Sequence, residues 1–213
     1  GELGQLVQLG LDVVGLFPRH RVFDDCRGRL HQLLGLLARA EPAFMAAHFA
    51  TEFPAYPDRE GECGTVLYFE GGYWDIRMDG GPTYLLAPGG SRIIGPDGVE
   101  DGPAMGRLPS RPPWSLVLPR WSTFLGREDD DWQMDADIPV TEDGASWAAS
   151  LTSLESPAFH GTLGIDPETC AITRVELGHM VQTLLVVRTE PTAADLAALE
   201  TIKSTVQQFT AQT

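Results

Sequence analysis

Positive charge is scarce in this 213-residue chain: 15 Lys+Arg stand against 30 Asp+Glu, a formal net charge of −15. Such a surface repels nucleic-acid phosphates and anionic lipid headgroups, which argues against a nucleic-acid binder. Cysteine is scarcer still. Cys26, Cys63 and Cys170 lie far apart with no CxxC or Cys/His ligand spacing, so no zinc site is expected. They read as small buried hydrophobes, with a bridge such as Cys63 to Cys170 open in an exported protein. No stretch of 18 uninterrupted apolar residues occurs, so no transmembrane helix is expected. Gly1-Glu2-Leu3-Gly4 lacks the basic start and cleavage site of a signal peptide. The expected location is the cytoplasm, the alternative being an exported protein whose signal has been removed.

Catalytic motifs are missing too. There is no G-x-S-x-G, no triad partner beside His160 or His179, no G-x-G-x-x-G after a strand and no G-x-x-x-x-G-K-[ST]. Nucleotide binding has no support, and no cofactor is called for. The acidic run from Gly126 to Asp131 lacks the central Gly and closing Glu of a calcium loop and reads as a solvated turn.

What is present is a chain of one-domain length, 43% hydrophobic, organised around the stretch from Cys63 to Asp97. Gly64–Phe69 reads as running on through Tyr73–Met78, followed by Thr83–Ala87 and Arg92–Ile94. Asp79-Gly80-Gly81-Pro82, Pro88-Gly89-Gly90 and Pro96-Asp97-Gly98 mark the turns. This is the pattern of an antiparallel meander. Gly71-Gly72 inside the first segment suggests a bulge or sharp bend. If the register holds, Tyr68, Glu70, Trp74, Ile76 and Met78 share a face, and Tyr73, Asp75 and Arg77 take the other. Glu70, Asp75 and Arg77 read as alternate solvent-facing charges pairing across strands.

Around this stretch, Leu3 to Phe17 carries apolar residues at helical spacing despite three glycines. Cys26 to Arg39 forms a second helix with Leu30, Leu33, Leu34 and Leu37 on one face, His31 lying off it, and Glu41-Pro42 at its end. Ala43 to Phe53 reads as a strand leading into the sheet. Val99 to Pro113 is a long proline-rich connection, of the kind that often forms lids. Trp114, Leu118, Trp121, Phe124 and Leu125 then follow near-helical spacing, giving a short helix over Pro119–Leu125. Strands follow over Trp132–Val140, Ser146–Leu154, Phe159–Ile165, Ile172–Leu177 and Met180–Thr189. A final helix has Thr192 as N-cap and Asp195 three residues on, with Leu196, Leu199, Ile202, Val206 and Phe209 on its buried face.

The whole reads as one α+β domain. Helices occupy residues 1–40, an antiparallel sheet of about nine strands residues 43–190 with an insertion at 99–125, and a C-terminal helix residues 191–213. The simplest arrangement is a large curved antiparallel sheet, a half-barrel, covered by the N- and C-terminal helices. The segments Gly64–Asp79, with its Trp74-x-x-Arg77, and Tyr84–Gly98 resemble the LolA-like superfamily of lipoprotein carriers, whose relatives include LppX/LprG-like lipid-binding proteins and RseB-like sensors. Gly161–Gly178 is similar to the family's Asp-x-x-T-G hairpin, with Cys170 where glycine is usual.

The resemblance implies a cavity between sheet and helices that takes a hydrophobic small molecule or lipid. Its candidate lining is Trp74, Ile76, Tyr84, Leu86, Trp114, Trp121, Phe124, Trp132 and Met134, residues that would serve equally as ordinary core. Two alternatives stand beside this binding protein. One is a cyclase- or isomerase-like enzyme shaping an apolar substrate, with Glu70, Asp75, His160 and His179 as acid/base candidates. The other is an interaction module, a homo-oligomer or a protein partner being met by the glycine-laced first helix.

Overall fold

A computed structural model describes residues 26–104, 112–143 and 146–210. The helix expected over residues 3–17 lies outside them. Helix α1 spans Cys26–Leu37 and is followed by strands β1 (Phe44–Glu52), β2 (Glu62–Phe69), β3 (Tyr73–Met78), β4 (Thr83–Ala87), β5 (Gly90–Gly95) and β6 (Gly98–Gly102). Two 3-10 turns, Pro113–Val117 and Pro119–Trp121, lead to β7 (Trp132–Met134), β8 (Thr141–Asp143), β9 (Ser146–Ser153), β10 (His160–Ile165), β11 (Ile172–Glu176) and β12 (Val181–Arg188). Helix α2 spans Ala193–Thr210.

All twelve described strands belong to one antiparallel sheet in the order β6-β5-β4-β3-β2-β1-β12-β11-β10-β9-β7, with β8 paired to β9. The sheet is curved and does not close. Two meanders, β1 to β6 and β7 to β12, are joined in its middle where β1 pairs with β12, Phe49 opposite Leu184.

The period-2 alternation of β1 shows how the sheet is covered. Met45, Ala47 and Phe49 belong to one buried cluster with Leu30, Leu33 and Leu37 of α1. Phe44 and Ala46 belong to another, with Phe69, Leu85 and Ala87 of the sheet and Ile202 and Val206 of α2. Successive side chains of a strand point to opposite faces, so the two helices sit on opposite sides. The two helices thus do not share a face: α1 covers the face that carries the larger cluster, here called inner, and α2 the other, outer face. Each fully buried Leu, Ile or Phe contributes about 1.5–3 kcal/mol.

Several local expectations change. Gly71 and Gly72, both at φ +86°, form the hairpin turn between two strands rather than a bulge within one. The β2 and β3 segments therefore lie side by side, Tyr68 opposite Trp74, still sharing a face as expected. β6 occupies part of what read as irregular connection. Trp132–Val140 is a strand only over Trp132–Met134. Leu196 is 48% exposed instead of facing the core, and the side chain of Phe209 lies outside the described residues. Cys63 and Cys170 are free thiols, which removes the bridge between them. Cys170 adopts φ 58°, the left-handed conformation that glycine takes more readily.

Candidate functional site

The inner face is covered across its middle by the segment 113–125. Its spacing imitates a helix, but Pro119 would fall in the interior of a continuous one over Trp114–Leu125 and breaks it. Pro113 and Pro119 supply no N–H, and each fits the first turn of a helix better than its interior. The segment instead makes i to i+3 bonds: Ser115 N–H to the Pro112 carbonyl at 2.9 Å, Leu118 N–H to Ser115 at 3.0 Å, and Trp121 N–H to Leu118 at 2.8 Å. The helix expected over Pro119–Leu125 is a single 3-10 turn over Pro119–Trp121, preceded by another over Pro113–Val117. The first packs over β1, β2, β11 and β12 with Trp114, Leu116 and Val117 buried.

Beneath this cover lies an aromatic cluster centred on Trp74, which is wholly buried. The Tyr68 ring meets it edge-on at 4.6 Å, the Trp114 ring at 5.6 Å and 64°, and the Trp121 ring at 5.1 Å and 38°. Trp121 is half-buried. The indole N–H of Trp74 has no hydrogen-bond partner among the described residues, a state that costs about 1–3 kcal/mol.

At the edge of the cluster, Glu41 gathers three donors from three elements. The Tyr68 hydroxyl donates to its Oε1 at 2.6 Å, and the Gly71 N–H approaches the same oxygen at 3.4 Å. Arg120 Nη1, on the cover, meets Oε2 at 2.8 Å. The Tyr68 hydrogen bond, aided by Arg120, holds the Glu41 carboxyl below its ordinary value against the opposing effect of burial. Burial first, then Glu41, push the Tyr68 phenol far above its own. At neutral pH the pair is therefore a phenol donor and a carboxylate acceptor.

Downstream, Arg127 ties down the end of the cover. It donates to the Arg120 carbonyl at 2.6 Å and pairs with Asp130 at 3.1 Å, while Asp130 accepts the Leu125 N–H at 2.9 Å. This resolves the acidic run as a structural clamp at Asp130. Among the described residues no group of acids, histidines or cysteines has metal-binding geometry.

The nine residues expected to line a cavity come together in, or packed directly against, the single inner cluster. Trp74, Ile76, Leu86, Trp114, Phe124, Trp132 and Met134 are buried, and Tyr84 and Trp121 half-buried. An open groove of about 400 Å³ lies elsewhere, between the α1–β1 loop and the β10–β11 turn, lined by Glu41, Pro42, Phe44, Thr169, Cys170 and Thr189 among others. None of the nine lines it.

The acid/base candidates are not brought together. Asp75 is buried on the outer face in a bidentate pair with Arg77 at 2.8 and 3.0 Å, and Glu70, His160 and His179 are exposed. Glu41, Tyr68 and Arg120 went unrecognised in the sequence, where Glu41 read only as a helix end. Tyr68 in phase with Trp74 was the available signal.

No protein-family model matches this chain, and no curated protein matches it. Among solved structures, an uncharacterised conserved protein from Thermus thermophilus is 8% identical, covering 80% of this chain and 91% of that one at a TM-score of 0.44. A LolA superfamily protein from Nitrosomonas europaea is 9% identical, covering 78% and 96% at 0.36. LprF from Mycobacterium bovis is 8% identical, covering 79% and 94% at 0.37. The LolA-like resemblance read from the sequence reappears here as a likeness of fold, and at these values it carries no function.

Proposed function

We propose that this protein binds an apolar chain, such as that of a lipid, on the inner face of its sheet beside Trp74. The observation that carries the reading is the nature of the cover. Over this aromatic cluster lies a proline-kinked segment tied to its surroundings by side-chain bonds and, at its end, by the Trp132 N–H to the Thr123 carbonyl at 3.2 Å, while its 3-10 turns have no ladder pairing among the described residues to the strands beneath. Under it sits an indole donor with no partner.

Magnitudes select the ligand. Unseating Trp114, Leu116, Val117 and Leu118 together forfeits about 6–12 kcal/mol at 1.5–3 kcal/mol each. A ligand must return a similar amount, and at about 0.8 kcal/mol per buried methylene that takes a chain of roughly 8–15 carbons. Short or small-ring ligands fall short. Native mass spectrometry of the purified protein, followed by denaturation and solvent extraction, should release a molecule with such a chain. Titration of the apo protein followed by tryptophan fluorescence should show binding of twelve-carbon chains and none of six-carbon ones. An empty protein whose fluorescence ignores both lengths would end the reading.

A further inference from the structure

We infer that the ligand carries a carboxylate head, which takes the place that Glu41 occupies between Tyr68, Gly71 and Arg120. The inference rests on the function proposed above and specifies its ligand. Three donors from β2, the β2–β3 turn and the cover converge on one carboxylate, two on Oε1 and one on Oε2. That is a carboxylate-shaped receptor, and the chain's own side chain fills it.

The receptor opens directly onto the apolar cluster. The Tyr68 ring that presents the hydroxyl lies 4.6 Å from Trp74, which also neighbours Trp121 at 5.1 Å. A chain attached to a carboxylate bound at Tyr68 Oη would run along these rings. The unpartnered Trp74 N–H is a further donor in the same cluster. Glu41 is suited to leave. It stands in the loop between α1 and β1, its side chain partly exposed and beside the open groove, so water can take over its solvation. Tyr68 and Arg120 would not remain unpaired, because the incoming carboxylate restores the same charge to the same donors. Arg120 belongs to the cover, so the ligand's head would draw the cover shut over its own tail. A neutral head leaves this pairing with Glu41 and gains nothing from it.

The test compares dodecanoate with its methyl ester by tryptophan fluorescence, on the wild type and on Glu41→Gln and Arg120→Gln. Both substitutions fall on partly exposed side chains, and thermal melts check that the variants fold. Dodecanoate should bind wild type severalfold more tightly than the ester, less than the roughly tenfold of one full charge-assisted interaction, because Glu41 gives up the same contacts. Glu41→Gln should tighten the acid severalfold and leave the ester unchanged, and Arg120→Gln should bring the acid down to the ester. Equal binding of acid and ester by the wild type would overturn the carboxylate inference and leave apolar-chain binding standing. Binding of neither would overturn both.

Discussion

Asp195 does three things with one carboxylate. It accepts the Thr192 N–H and hydroxyl, each at 2.7 Å, and pairs with Arg188 at the end of β12, while its own N–H donates to Thr192 Oγ1 at 3.3 Å. The reciprocal Thr192–Asp195 box was readable in the sequence, because a capping box is a local pattern four residues long. The Arg188 partner was not, since which arginine lies near a helix start depends on where the sheet places it. Arg188 first, then Thr192, hold the Asp195 carboxyl well below the usual carboxylate range. A depressed folded value means the stabilisation is complete above the unfolded value of about 4 and drains away as pH falls toward the folded one. Melting temperature should therefore fall as pH drops below about 4, and Asp195→Asn should flatten that decline while lowering stability at pH 7 by about 1–2 kcal/mol. Melts followed by circular dichroism from pH 7 to 2 would show it. Gly64 is a second residue under constraint: a Cβ there would lie 2.1 Å from the Arg77 carbonyl oxygen and 2.7 Å from the Phe49 ring. Gly64→Ala should cost more than about 3 kcal/mol in chemical denaturation, since backbone cannot give way as a side-chain tip can.

Among the elements, the cover and the edges are where sequence reading and structure parted. The strands of both meanders were legible because burial alternates along them and Gly-Pro-Asp turns punctuate them. The cover read as a helix because Trp114, Leu118, Trp121 and Phe124 fall at helical spacing, yet proline geometry outweighs periodicity within so short a segment. β6 was missed because an exposed edge has no burial pattern to read, its apolar Val99 being 57% exposed. The gathering of the nine aromatic and aliphatic residues was legible; the Glu41 receptor was not, as its members come from three distant segments. The cover's contribution can be measured. Leu118→Ala, at a fully buried position, should destabilise by about 2–4 kcal/mol. Leu185→Ala on β12, 67% exposed, should stay within about 0.5 kcal/mol. Urea denaturation of the two variants side by side decides whether the 3-10 segment is an integral part of the core.

At the scale of the whole molecule, the two meanders are each local in sequence, but the sheet becomes one only where β1 meets β12. The candidate site is shared in the same way, with Tyr68 and Trp74 from the first meander and Trp114 and Trp121 from the connection that follows it. Pairing so distant in sequence places folding in the slow range, about milliseconds to seconds. Stopped-flow refolding should show burial of the tryptophans as a late phase.

The joining of β1 to β12 also has a consequence for biosynthesis. About 130 residues must leave the ribosome after β1 before its second partner exists, which at about 5–20 residues per second takes about 6–26 s. Throughout that interval one edge of β1, with Met45, Ala47 and Phe49 above it, faces solvent or a chaperone rather than the protein. The nascent chain, not the finished domain, is the stage most exposed to misassembly.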